Sequence, residues 1–217
     1  MKSICVIPAK GKSKRLPGKN TKQFYGRAVV EYTIEAAKES GCFDEIIVST
    51  DITYIAGIAN AMGVSAFFRG EDTCATDSPM VDCVLEVMET TPCDYVCMAY
   101  ACSPFIQAGK IRQARDLVES GEYDSVTTAY RAEPPERVLI QSGDRFISRY
   151  PEYDNVNSQH FPRCYHSAGQ FYYCNSLMVQ LYETVMLPNF TCIEIPYAVD
   201  IDTAEDWARA EKLWEAR

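Results

Sequence analysis

The chain has 217 residues, 47% of them hydrophobic and 24% charged, with neither a low-complexity tract nor a solenoid-period repeat, so a real core without disulfide or metal staples is expected and disorder is not. A net charge of -9 argues against a general nucleic-acid binder, whose footprint is basic. No stretch approaches the roughly 18 apolar residues of a membrane span, and the apolar run after Met1 is too short for a signal-peptide core, so a cytoplasmic protein is expected.

Along the chain, Ser3 to Pro8 is a short apolar run ending in a Gly and Pro rich loop. Apolar residues then recur at helical spacing from Val29 to Ser40 and stop at Gly41. The unit repeats, with a strand at Glu45 to Ser49, a helix at Tyr54 to Met62 ended by Gly63, and a short strand at Ala66 to Phe68. Ser78 before Pro79 reads as a capped helix start, the helix running to about Glu89. Tyr95 to Ala99 follows as a strand, Ala108 to Ser120 as a helix and Ser125 to Tyr130 as a strand. This alternation predicts an α/β fold with a mainly parallel sheet sandwiched by helices, where ligands collect at the carboxyl ends of the strands.

From Arg131 to Pro162 the pattern breaks into a polar, Pro-punctuated stretch holding Val138 to Gln141 and Arg145 to Ser148. We read residues 131–163 as a hairpin arm inserted into one domain spanning 1–217, and as a candidate oligomerisation element. The core resumes with a strand at Gly169 to Cys174, a helix near Leu177 to Val185 and a strand near Thr191 to Ile195. A last helix starts at Thr203, with Asp206 three residues on completing a near capping box.

The charge is unevenly spread. Up to Val30 there are eight Lys or Arg and no acid, whereas the rest carries thirteen basic against thirty acidic residues, which points to a small anion near the N-terminal segment. The ten cysteines lack paired metal-ligand spacing and read as small buried hydrophobes in a reducing compartment. Cys93, Cys97 and Cys102 lie near one another in sequence, but a buried strand between them would not converge their thiols.

Three segments carry chemistry. Ile7-Pro-Ala-Lys-Gly-Lys-Ser-Lys-Arg-Leu-Pro-Gly-Lys-Asn20 directly follows the first strand. Gly11 and Gly18 allow close backbone approach to an anion, and Lys10, Lys12, Lys14, Arg15 and Lys19 supply charge for a triphosphate. Its Gly spacings fit neither a Walker loop nor a dinucleotide fingerprint, and a solvated basic turn is the plain alternative. Val199-Asp-Ile-Asp-Thr203 places Asp200 and Asp202 two residues apart, on one face of an extended strand, which suits a hard divalent cation; solvated acids before a helix are the alternative. Asn157-Ser-Gln-His-Phe-Pro-Arg-Cys-Tyr-His-Ser-Ala-Gly-Gln-Phe-Tyr-Tyr173, which holds both histidines of the chain, is either an aromatic strand edge packed into the core, with His166 a satisfied polar group, or a ligand-reading strand.

The first segment resembles the opening motif of the CMP-sugar synthetases, the cytidylyltransferases for sialic, pseudaminic, legionaminic and 3-deoxy-octulosonic acids. The match covers Ile7, Pro8, Ala9, Gly11, Ser13, Lys14, Arg15, Pro17, Lys19 and Asn20. Lys10 stands where the family has a phosphate-contacting arginine, which keeps charge but loses a bidentate fork, and Lys12 replaces a glycine. Further matches follow in order, at Cys42 to Asp51, Arg69 with Thr76, Asp77 and Ser78, and Ser103 with Pro104. The third segment is similar to the pseudaminic acid branch at Ser158, Gln159, Tyr165, His166, Ala168, Gly169, Gln170, Phe171 and Tyr172, with Ser167 in place of an acid.

The resemblance implies a Rossmann-like nucleotide-diphospho-sugar transferase fold, CTP and a nonulosonic acid as substrates, Mg2+ as cofactor and a homodimer. It places Pro8, Ala9, Lys10, Gly11, Ser13, Arg15, Lys19, Asn20, Arg69, Thr76, Asp77 and Ser78 at the nucleotide, and Tyr100, Ser103, Gln159, Tyr165, His166 and Gln170 at the sugar. It gives Mg2+ to Asp200 and Asp202, and the chemical step to Lys10, Lys19 and Asp202, the last as first candidate for the base. Pseudaminic acid is the first choice of sugar; legionaminic, sialic and 3-deoxy-octulosonic acids are the near alternatives, and a catalytically weak CTP-binding regulatory protein is the distant one.

Overall fold

The computed structural model describes residues 1–11, 13–75 and 78–217, with the backbone alone at Ser158. In chain order the elements are β1 (Ser3–Pro8), β2 (Gln23–Phe24), β3 (Arg27–Ala28), α1 (Val29–Ser40), β4 (Glu45–Thr50), α2 (Thr53–Ala61), β5 (Ser65–Phe68), α3 (Glu71–Cys74), α4 (Met80–Thr90), β6 (Tyr95–Ala99) and α5 (Ala108–Glu119). They continue with β7 (Ser125–Ala132), β8 (Leu139–Ser142), β9 (Arg145–Ser148), β10 (Cys164–Asn175), α6 (Ser176–Tyr182), β11 (Phe190–Glu194) and α7 (Ala204–Glu215).

Seven strands form one sheet in the order β11-β7-β10-β6-β1-β4-β5. β10 runs antiparallel to both its neighbours, and the other pairings are parallel. The mainly parallel α/β reading therefore holds, with one reversed strand in the middle.

Period-two alternation along the strands divides the core. Cys5 and Ile7 of β1, Val48 of β4 and Cys97 of β6 pack with Ile34, Ile55 and Ile111 of α1, α2 and α5. Ile4, Val6, Ile47, Val96 and Met98 face the other way, onto Val84 and Val87 of α4 and Val179 of α6. Burying both faces explains why the central strands read as continuous apolar runs.

α1 spans the segment predicted for it and ends at Gly41, whose φ of 63 is left-handed. At its start the Glu31 carboxylate accepts the Ala28 amide at 2.9 Å. Thr203 caps α7 by accepting the Asp206 amide at 3.2 Å, and Asp206 accepts the Thr203 amide at 2.9 Å. Ser78 is not a cap. α4 starts one residue after Pro79, which is extended at φ -55 and ψ 147 with no side-chain cap bond, and the Ser78 hydroxyl donates instead to Asp82 in the first turn, at 2.8 Å.

The β2–β3 hairpin and α3 were not predicted, being too short to show a period. That hairpin matters. Phe24 is fully buried, and its ring meets Tyr32, Phe105, Trp207 and Trp214 edge to face at 5.3 to 6.4 Å. It thereby docks α7 beside the loop after β1, in a cluster shared with Leu16, Cys102, Val199 and Ile201.

Between Ala132 and Cys164 the chain leaves the main sheet, and β8 and β9 pair only with each other. Leu139 is 61% and Phe146 65% exposed on this hairpin.

Replacing Phe24 with Ala is expected to cost about 3 to 5 kcal/mol in denaturant unfolding, as for a fully buried aromatic side chain. Because Trp207 and Trp214 are the only tryptophans and both touch Phe24, their fluorescence should report the loss directly.

Candidate active site

Parallel pairing brings the carboxyl ends of β1, β4 and β6 to one edge of the sheet, and the reversed β10 begins there. The segment from Ile195 to Ile201 then crosses that edge. Ile195 donates its amide to Ala129 of β7 at 2.9 Å, Ala198 packs on Ala168 of β10, and the Ile201 carbonyl reaches Lys19 in the loop after β1.

Gly169 permits this crossing. Its φ is +59, and a Cβ there would lie 3.2 Å from the Asp200 Cγ. It sits where the β10 register slips, between Ser167 and Tyr172.

The basic loop is braced against β4. Ala9 donates its amide to the Ser49 carbonyl at 2.8 Å, the Thr50 hydroxyl donates to the Ala9 carbonyl at 2.7 Å, and Gly11 donates its amide to Asp51 Oδ1 at 2.6 Å. A Cβ on Gly11 would collide with Ile52. Gly11 thus serves close packing, and its amide is already spent on a carboxylate. Pro8, the last residue of β1, is buried. Asn20 is buried and donates to the Lys10 carbonyl at 2.9 Å, and Ser13 accepts the Leu16 amide at 3.4 Å. Those two side chains hold the loop's shape.

The loop's cations go two ways. Lys19 Nζ donates to the Ile201 carbonyl at 2.9 Å and to Asp202 Oδ1 at 2.8 Å, while Arg15 reaches Asp202 Oδ2 at 2.5 Å. Lys10 points the other way, 3.4 Å from the Ala75 carbonyl. Arg69 stands on that side, its amide on Thr50 and its guanidinium on the Thr73 carbonyl, with Nε buried and without a partner among the described residues. Lys12, Thr76 and Asp77 lie outside the described residues.

The acids meet these cations from the far end of the chain. Asp200 has no hydrogen bond or ion pair among the described residues, and its carboxyl is held above the ordinary range, first by partial burial and then by the neighbouring Asp202 charge. It still reaches solvent, so Gly169 and Tyr100 strip only part of its hydration. Tyr100 is pushed up by burial, by Tyr172 and by the two acids. Cys102, which the motif reading gave no role, joins the same group: burial pushes its thiol up to about 12 while Lys19 opposes the shift.

Asp200 and Asp202 form a donor pair of the right chemistry for Mg2+, which uses one or two carboxylates and takes its other ligands from phosphates and water. Among the described residues no three His, Cys, Asp or Glu side chains converge, so such an ion would need the substrate's oxygens. Both oxygens of Asp202 already hold charged donors.

The residues assigned to a sugar separate into groups. The Ser167 hydroxyl lies 2.9 Å from that of Tyr172, across the register slip and beside Tyr100. His166 stacks at a tilt on Tyr130, and the Tyr165 hydroxyl donates to Glu194 at 3.1 Å. Gln159 is exposed in a 3-10 turn of the arm. Gln170 is only 4% exposed and ties Thr128 to the Phe105 carbonyl, and Ser103 is buried in the turn after β6. Those last two side chains serve the interior.

Comparison with known proteins fits this arrangement. A cytidylyltransferase family model matches residues 4–217. The chain belongs to the cytidylyltransferase family. It is 30% identical to the pseudaminic acid cytidylyltransferase of Campylobacter jejuni, covering 99% of this chain and 97% of the relative. It is equally 30% identical to the CMP-N,N'-diacetyllegionaminic acid synthase of Legionella pneumophila, with the same coverage. Among solved structures, a CMP:2-keto-3-deoxy-manno-octonic acid synthetase complexed with CTP has the same fold, at TM-score 0.76 and 20% identity over 100% of this chain and 99% of that one. Of the signals used to read this cytidylyltransferase from its sequence, Gly169 could have pointed to the crossing segment, Asp51 closed a stretch matched only as strand and loop, and Cys102 had none.

Because the raised carboxyl of Asp200 binds its proton more tightly folded than unfolded, its ionisation lowers stability as pH rises through the folded value. Asp200→Asn should therefore raise the melting temperature at neutral pH, and acidification through the carboxylate range should erase the gain. Thermal melts of both proteins across pH check the sign.

Proposed function

We propose that this enzyme transfers CMP from CTP to the anomeric hydroxyl of a nonulosonic acid, pseudaminic acid before the others, and releases pyrophosphate. The observation that carries the reading is the convergence of Lys19 and Arg15 with Asp200 and Asp202 at the carboxyl edge of the sheet, from opposite ends of the chain. It provides cations for a triphosphate and carboxylates for a hard ion at one place, which is what in-line displacement at phosphorus uses.

The anomeric oxygen attacks the α-phosphorus, an O–P bond forms, and the bond to the departing pyrophosphate oxygen breaks. Lys10, Arg15 and Lys19 balance the triphosphate; Asn20 and Ser13 keep the loop that carries them in shape. Arg69 reads the base from the Lys10 side, and the motif assigns Thr76, Asp77 and Ser78 to the same task. Mg2+, held by Asp200 and Asp202, would neutralise charge building on the leaving group. The hydroxyl proton leaves by way of a water held at Asp202, the first residue to test as base. Tyr165 and His166, on the open start of β10, and Gln159 on the arm read the sugar.

The matching of Tyr165, His166 and Gly169 supports pseudaminic acid, and the equal identity to a legionaminic acid synthase supports the second sugar. The exposed Leu139, Ile140, Phe146 and Ile147 support a homodimer through the arm. Ten free cysteines support work in the reducing cytoplasm.

Pyrophosphate release measured with each nucleotide and a panel of nonulosonic acids decides the substrates. Turnover with CTP and pseudaminic acid is expected; activity confined to legionaminic or 3-deoxy-octulosonic acid would move the sugar assignment. CTP binding with no release on any sugar would favour a regulatory protein. Sedimentation should give a dimer, with Phe146→Asp shifting it to monomer.

A further inference from the structure

Asp202 has three claimants. Its two oxygens hold Arg15 at 2.5 Å and Lys19 at 2.8 Å, these cations are the ones the reading above gives to the triphosphate, and the carboxylate itself is given to Mg2+. A carboxylate already paired with two cations presents positive charge to an approaching Mg2+, and cations so paired are partly neutralised toward phosphate.

We propose that Asp202 is a latch that occupies the triphosphate's cations, and that nucleotide binding is an exchange in which phosphate displaces this carboxylate from Arg15 and Lys19 and frees it for the divalent ion. The inference rests on the reading that the loop holds CTP, and extends it to the order and coupling of binding.

The two cations differ in how they would release it. Lys19 is only 21% exposed in its side chain and keeps a second acceptor, the Ile201 carbonyl at 2.9 Å, so it stays in position when Asp202 leaves. Arg15 is 67% exposed, and it holds Asp202 alone among its described partners. An ion pair this open is worth little in water, so a polyanion can replace it. Displacement leaves Asp202 uncompensated beside Asp200, whose carboxyl already feels that charge. A divalent cation removes the penalty, so metal and nucleotide bind cooperatively through one side chain.

Titration calorimetry of CTP without sugar, once with chelator and once with Mg2+, tests this on the wild type, Asp202→Asn and Asp200→Asn. Both variants remove one negative charge from the same edge, but only Asp202 holds the cations. With chelator, Asp202→Asn should bind CTP about fivefold or more tighter than wild type, the scale of a released pair, and should exceed any gain in Asp200→Asn. Asp202→Ser repeats the comparison with a second uncharged side chain ahead of the Thr203 cap. A gain in the Asp202 variants no larger than that of Asp200→Asn would reduce the effect to general repulsion and overturn the latch while leaving the CTP reading intact. Failure of the wild type to bind CTP with Mg2+ would overturn both.

Discussion

Lys19 holds the ends of this protein together. Its ammonium sits between the Ile201 carbonyl and the Asp202 carboxylate, and the segment that offers them must cross the carboxyl edge of the sheet to arrive there. The crossing passes a glycine at 169, where φ is +59 and a Cβ would lie 3.2 Å from the Asp200 side chain, within the register slip of β10 between Ser167 and Tyr172. The aromatic cluster around Phe24 supports the same geometry from outside, since it docks α7 and thereby fixes where the acids end.

The arrangement also explains an electrostatic oddity. An N-terminal segment with eight cations and no acids would repel itself if left alone. Folding brings it acids from elsewhere: Asp202 to Lys19 and Arg15, and Asp51 to the Gly11 amide. These contacts are short and charge-assisted, yet they sit at a solvent-facing edge, where such pairs are weakly held. A site of this kind is ordered enough to present its charges and loose enough to exchange partners, and the raised carboxyl of Asp200 is the mark of acids assembled for something other than stability.

Where the sequence was legible, a local cause was at work. α1 follows from apolar spacing and a terminal glycine, α7 from the reciprocal bonds of Thr203 and Asp206, and the central strands from apolar runs buried on both faces. Where it misled, a competing local conformation won. Ser78 looked like a cap, but the extended Pro79 carries the start of α4 past it, and its hydroxyl turns to Asp82. Gly11 was read as letting the backbone approach an anion; in the structure its amide is held by Asp51 and the Ile52 side chain lies where a Cβ would go. Gln170 matched a sugar-reading position and turned out to be spent on Thr128 and Phe105.

The sequence by itself determined the alternation of strands and helices, the excess of cations after the first strand, the paired acids near the end, and the motif order that marks the family. Only the tertiary structure decided that the cations and acids meet, because their encounter spans nearly the whole chain and depends on parallel strand order and on a reversed strand with a glycine at its slip. It also decided which acid is engaged. Asp200 and Asp202 are indistinguishable as an Asp-x-Asp pair, and they part company only because one faces Gly169 and the other faces two cations.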